Sequence, residues 1–302
     1  GAEEALWRRV LKFGAAELGV EVWMAGLHRG DSLGPAGASW APGGLWARGG
    51  PAEPAPPALR PFKEVQARLE KLPRSHCLAH LDQVDALVRL SPDVAAAKVS
   101  LALPREDAPD STPGGEHPLR DPGHSEWLHG FALLLRTRGE HDWRVACFAH
   151  GAFPRGGPCG IDGEVAPSKR GADYASLSEV EVLVRQYMRG EAQGAPGAWA
   201  FAVHRGEVQG EPLEEHAAGP AGPAAAREGV AGEDLGSDSL LALQRYDRVV
   251  SIDIAGEAAA LARAQVASPE GVRSALLLLL RCGERWDLVA LAHCLHPAPA
   301  LE

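Results

Sequence analysis

Cysteine is scarce in this sequence and does not pair: five residues, an odd number with no CxxC, rule against a disulfide framework and a zinc cage. Buried free thiols are expected instead, which favours a reducing compartment. Long apolar runs are missing too. The longest strongly hydrophobic block is Ala275 to Leu280, far short of the roughly 18 residues that a membrane helix needs. Positive charge is in deficit, and a net charge of −10 leaves no basic face for nucleic acid or an anionic membrane surface. Glycine is abundant at 35 residues, yet none stands in the strand–loop–helix arrangement that cradles phosphate. His124-Ser-Glu126 with Pro158-Cys159 lacks the second cysteine of a zinc deaminase pattern. Neither a metal nor a cofactor is expected.

What is present is ordinary globular composition, 45% hydrophobic and 23% charged, over 302 residues. That length favours two domains of roughly 150 residues. The chain begins at Gly1 rather than Met, as expected of a processed or truncated product whose targeting segment has gone. It reads as a soluble protein of the cytoplasm or an organelle.

One long stretch occurs twice. "ALLLRTRGEHDWRVACFAH" from 132 and "ALLLLLRCGERWDLVALAH" from 275 align without a gap, Leu133–Leu135 over Leu276–Leu278 and Trp143 over Trp286. "WMAGLHRG" from 23 and "WAFAVHRG" from 199 keep the same spacing of Trp, His, Arg and Gly. A helical pattern precedes each: Leu6, Val10 and Phe13, then Val180, Val184, Tyr187 and Met188. Ser176-Leu-Ser-Glu179 reads as a capping-box start. Each half then carries a hairpin, "VDALVRL" with "AAAKVSLAL" and "VVSIDI" with "AAALARAQV", before the longest hairpin at its end. Pro and Gly mark a linker over 154–172 and long loop insertions over about 30–61 and 206–238, the latter acidic around Glu214, Glu215, Glu233 and Asp234.

The last strands are apolar on both faces in mid-strand, so one face must meet helices and the other more protein or a cavity. Helix, "HRG", a hairpin, then "LLLRTRGEHDWRVACFAH" resembles the NTF2-like superfamily, close to its SnoaL-like and putative lumazine-binding branches. Residues 173–297 carry the resemblance best, through "DYASLSEVEVLVRQYMRG", "VVSIDIAGEAAALARAQV" and "LLLLLRCGERWDLVALAH". It implies an α+β fold of two tandem cone-shaped barrels, helices packed on a curved antiparallel sheet. Their ranges would be 1–153 and 173–302. Each would hold its own pocket, or the two would pair as NTF2-like dimers do.

Enzymes of that superfamily place Asp, His or Tyr in an apolar cavity, where desolvation makes a usable general base. The candidates here are Tyr187, His293 and Asp247. Asp253 alternates with Ile252 and Ile254 and is expected at solvent. His150, Phe148, Leu291, Trp199 and Trp23 are the candidate pocket lining, although a strand-end histidine satisfied by a carbonyl is the plainer expectation for His150 and His293. Tyr187 on the apolar helix stripe equally reads as core, with Val10 or Leu11 in its place in the first half. His28 and His204 are expected to cap a helix end. Cys147 and His150, three apart on a strand, face opposite sides and make no nucleophile pair. Trp40 and Trp46, large rings in a Gly/Pro loop, would fold back as a lid or dock a protein partner.

The two halves share no acid–base set. The leading expectation is therefore a non-catalytic protein that binds a small hydrophobic ligand or serves as a scaffold. One alternative is a cofactor-independent SnoaL-like isomerase, cyclase or dehydratase in the second half. Another is an accessory subunit docked through its loops.

Overall fold

The computed structural model describes residues 15–29, 40–62, 64–65, 82–104, 125–136, 143–152, 170–189, 191–192, 194–204, 207–213, 246–268 and 271–298. In the first half lie helix α1 (Ala15–Arg29) and strands β1 (Trp40–Gly49), β2 (Leu59–Pro61), β3 (Gln83–Arg89), β4 (Val94–Pro104), β5 (Ser125–Arg136) and β6 (Trp143–Ala152). The second half repeats the series with α2 (Arg170–Met188), β7 (Trp199–His204), β8 (Glu207–Pro212), β9 (Arg248–Ala255), β10 (Ala259–Ser268), β11 (Gly271–Cys282) and β12 (Arg285–Ala298). Among the described residues no helix is long and apolar enough to cross a membrane.

Each half builds one six-stranded sheet, ordered β2-β1-β6-β5-β4-β3 and β8-β7-β12-β11-β10-β9. The sheets are mixed rather than antiparallel, because β1 runs parallel to β6 and β7 parallel to β12. The segment expected as a loop over 30–61 thus supplies two strands, and the first residues of the 206–238 loop supply β8. The rest of that loop, residues 153–169 of the linker stretch, and Leu6, Val10 and Phe13 lie outside the described residues.

The helices bury their stripes at matching spacing: Ala16, Val20, Trp23 and Met24 in α1, Val180, Val184, Tyr187 and Met188 in α2. Trp23 therefore holds in α1 the place that Tyr187 holds in α2, while Val10 and Leu11 lie outside the described residues. Ser176–Glu179 sits inside α2 instead of starting it, since the helix begins at Arg170. The "HRG" likeness is not a structural repeat, for Trp23–Arg29 is helix and Trp199–His204 is strand. A four-residue match at equal spacing says nothing about conformation when the neighbours differ.

The long hairpins match, but with a slip. Six residues separate Arg136 from its partner Trp143, whereas four separate Arg281 from Trp286. The gapless alignment is correct along β6 and β12 and two residues out along β5 and β11, where Leu133 corresponds to Leu278. A two-residue slip keeps every side chain on its face, so the apolar pattern does not reveal it.

Both final strands carry a bulge at the same point. Leu134 pairs with Val145 and Leu133 with Cys147, leaving Ala146 over; Leu279 pairs with Leu288 and Leu278 with Ala290, leaving Val289 over. A bulge adds one residue, bends the strand and resets its alternation. The expected faces consequently hold only in part. Trp143, Val145 and Phe148 pack against α1, and Trp286, Leu288 and Leu291 against α2. Ala146, Cys147 and Ala149 meet Val289, Ala290 and Ala292 in the core between the two sheets.

That central core joins Leu45, Phe131, Leu133 and Leu135 to Phe201, Leu276, Leu278 and Leu280. Each such side chain taken fully out of water contributes about 1.5–3 kcal/mol before chain entropy is counted. Backbone contacts reinforce it: Gly50 N–H donates to Arg281 O at 2.8 Å, and Gly283 N–H to Gly50 O at 3.1 Å. Here the approach tolerates no side chain. A Cβ on Gly151 would lie 2.4 Å from that of Ala258, and one on Gly49 2.7 Å from Arg281 O. At the margin Lys98 Nζ donates to Asp253 Oδ1 at 3.0 Å and to Ile254 O at 2.6 Å.

Candidate ligand-binding site

Beyond its bulge β6 turns Phe148 and His150 to the same side, the one covered by α1. Their rings stack at 4.8 Å and 23°. Strand β1 lies alongside with Trp46 in register with Phe148 and Arg48 with His150. The Trp46 ring meets both rings edge-on at 5.0 Å, and Trp23 of α1 meets Phe148 edge-on at 5.0 Å. Across the sheet His150 faces Gly130. A Cβ there would lie 2.8 Å from His150 Cβ and 2.1 Å from Ala149 O, so only glycine lets β5 come this close. The result is an imidazole held between Phe148 and Trp46, with Trp23 packed on the Phe148 ring.

His150 is 1% exposed, and neither of its ring nitrogens has a hydrogen-bond partner among the described residues. Burial, helped by the Arg48 charge, pushes its pKa down to about 3. The ring is neutral at physiological pH, with one N–H donor and one bare acceptor. Arg48 is itself engaged with Glu53 at 2.9 Å and Glu126 at 2.5 Å.

The second half meets the same requirement differently. His293 occupies the position of His150, four residues past the bulged residue, and Tyr246 hydroxyl lies 3.0 Å from its Nδ1. The two rings stack at 5.8 Å and 27°. Tyr246 escaped the sequence reading although it adjoins Asp247; a tyrosine just ahead of a strand was the available signal. By register Ala200 replaces Trp46 and Leu291 replaces Phe148. Tyr187 hydroxyl accepts from Leu288 N–H at 3.2 Å, and burial pushes its pKa up to about 12.

Of the expected site residues, Tyr187, His293 and Leu291 lie on the α2 side of the second sheet, and Trp23, Phe148 and His150 come together on the α1 side of the first. Three expectations need correction. Asp247 is exposed just ahead of β9 and enters no buried set among the described residues. Trp199 stacks on Phe201 at 6.3 Å on the face between the sheets, not in a helix-side pocket. Trp46, 9% exposed, is an interior ring of its own half rather than a docking surface. The side chains of Trp40, His28 and His204, and residues His124 and Cys159 entirely, lie outside the described residues.

A polar row on the sheet–sheet face of the first half also went unforeseen, because it depends on the register of three neighbouring strands. Ser100 Oγ donates to Asp85 Oδ2 at 2.7 Å, and His129 Nε2 lies 3.5 Å from the same oxygen. Burial alone would raise the Asp85 carboxyl, yet these two partners hold it below its ordinary value. The serine donates to the aspartate, and the histidine approaches that same carboxylate rather than the serine hydroxyl, so the three do not form a serine–histidine relay.

No protein-family model matches the chain, and no curated protein matches it. Solved structures do. A ketosteroid isomerase-like protein from Erwinia carotovora atroseptica is 12% identical over 46% of this chain and 95% of its own, with a TM-score of 0.31. An NTF2-like protein of unknown function from Shewanella baltica is 16% identical over 43% and 99%, TM-score 0.29. An NTF2-like protein with a cystatin-like fold from Novosphingobium aromaticivorans is 14% identical over 55% and 92%, TM-score 0.28. Two of these three are NTF2-like proteins. Each spans about half of this chain and nearly all of itself.

Proposed function

We propose that the chain is a tandem duplication of an NTF2-like barrel, with units over 1–153 and 173–302, acting as a non-catalytic binding module. The first half takes a small, largely apolar ligand at His150. The second half, mated to it through the central core, is its scaffold. The observation that carries this reading is an imidazole with no partner among the described residues: a buried polar group left without a partner costs about 1–3 kcal/mol. Such a group calls for an explanation, and a bound molecule that supplies the partner gives one. His150 is also a poor general base, since its pKa of about 3 leaves little proton affinity at neutral pH.

Native mass spectrometry of the purified chain tests the reading. An adduct lost on denaturation, and lost in His150→Leu, is expected. A bare mass, together with no rise in unfolding temperature across a set of small aromatic fragments, would remove it.

The Tyr246–His293 pair favours a second reading, an acid–base site for isomerase, cyclase or dehydratase chemistry in the second half. That reading requires an imidazole titrating near neutrality in NMR spectra, absent from His293→Gln.

A further inference from the structure

We infer that the two sheets recognise each other and that neither recognises itself, given the tandem arrangement proposed above and independently of any ligand. The face between them is thereby closed within one chain. Register fixes which residues of the two halves correspond. Arg136 N–H donates to Asp93 O at 3.0 Å and Arg281 N–H to Ala258 O at 2.8 Å, so Asp93 and Ala258 hold one position. Gly49 lies abreast of Gly151; in the second half Val203 follows Ala202, the partner of His293, and so lies abreast of Cys294. Lys98 opposes Phe131 as Arg263 opposes Leu276, and Val88 opposes Ala96 as Asp253 opposes Leu261.

The unlike pair is the one that fits. Gly151 of the first sheet meets Ala258 of the second, and Gly49 meets Arg281 O, so closely that a Cβ would lie 2.4 and 2.7 Å away. A second half set against another second half would bring Cys294 and Val203 to those two points, and neither is glycine. Val203, 6% exposed, is already turned into the central core, and its branched side chain has few rotamers with which to swing clear. Charge would permit that pair, because Arg263 would face Asp253 in place of Lys98; space does not. A first half set against another first half has the room and fails on charge. Asp93 would enter the place of Ala258, which is 3% exposed, and Val88 would replace Asp253 beside Lys98. A carboxylate taken out of water and an ammonium stripped of its counter-charge both oppose burial. In a symmetric pair each of these conflicts occurs twice, and such conflicts are what separate right partners from wrong ones.

A site-specific protease sequence inserted in the linker stretch over 154–169 allows the folded full chain to be cut between its halves. Native mass spectrometry then reads the pairing, since the two fragments differ in mass. The intact chain is expected at the mass of one copy, and the cut chain as one first fragment with one second. After urea has parted the fragments and been removed, the unlike pair should return in at least about tenfold excess over either like pair. Gly151→Ala should lower the paired fraction, and adding Ala258→Gly should restore it. Like pairs as abundant as the unlike pair would overturn the inference, as would failure of the unlike pair to return. So would a Gly151→Ala loss that Ala258→Gly does not reverse. Fragments that part on cutting as folded monomers would overturn it while sparing the tandem arrangement; fragments that unfold on cutting would overturn both.

Discussion

Acid should weaken this protein through His150 in a way that one substitution removes. In the unfolded chain the imidazole titrates at its ordinary 6.5, and in the fold at about 3. Because the folded value is the lower one, the unfolded chain takes up the proton first. Stability is full above pH 6.5 and falls as pH drops toward 3. At about 1.36 kcal/mol per pH unit below the ordinary value, the loss at pH 4 is about 3 kcal/mol. The group is fully buried, so solvent screening does not reduce this figure. Urea unfolding followed by tryptophan fluorescence at pH 7, 6, 5 and 4 measures it, in the chain and in His150→Leu. Carboxylates add acid sensitivity to both, and the difference between the two profiles isolates the histidine. The unmodified chain should lose about 3 kcal/mol more than the variant between pH 7 and pH 4. Parallel profiles would refute the placement of a neutral, buried imidazole against Trp46 and Phe148.

Three further outcomes are expected. Gly151→Ala, whose new Cβ would meet that of Ala258 at 2.4 Å, should cost about 1–3 kcal/mol in urea unfolding by forcing the sheets apart; a cost near zero would mean that the halves do not meet there. Tyr246→Phe should cost about 1–3 kcal/mol by removing the hydroxyl from buried His293, and calorimetry showing no change in Tm would discount that pair. Lys98→Met should cost no more than about 1 kcal/mol despite two contacts across the halves, because Asp253 is 45% exposed; a larger loss, insensitive to salt, would make this a buried pair.

Much of the architecture is legible in the residues because strands and helices impose periods of their own. The apolar alternation of β5, β6, β11 and β12, and the stripe of Val180, Val184, Tyr187 and Met188, follow from which side chains water rejects. The repetition of "RVACFAH" and "DLVALAH" marks two equivalent final strands and puts both histidines at equivalent positions. Even the expectation that one face meets helices and the other more protein follows from strands apolar on both sides.

What sequence could not reach were relations between segments. Register between β5 and β6 depends on a turn two residues longer than its counterpart, and a slip of two leaves the pattern unchanged. The bulges at Ala146 and Val289 reset the alternation, and only pairing with the neighbouring strand exposes them. β1 is rich in Gly and Pro and reads locally as loop. It becomes a strand because β6 offers it a parallel edge, and that pairing brings Trp46 inside. Tyr246 reaches His293, and His129 reaches Asp85, across strands separated by long stretches of chain. The sequence by itself determined which faces are apolar and that the pattern occurs twice, since each side chain carries its own solvation free energy. Only the tertiary structure decided which partner each buried polar group obtains, because a hydrogen bond depends on two groups that the chain alone does not bring together.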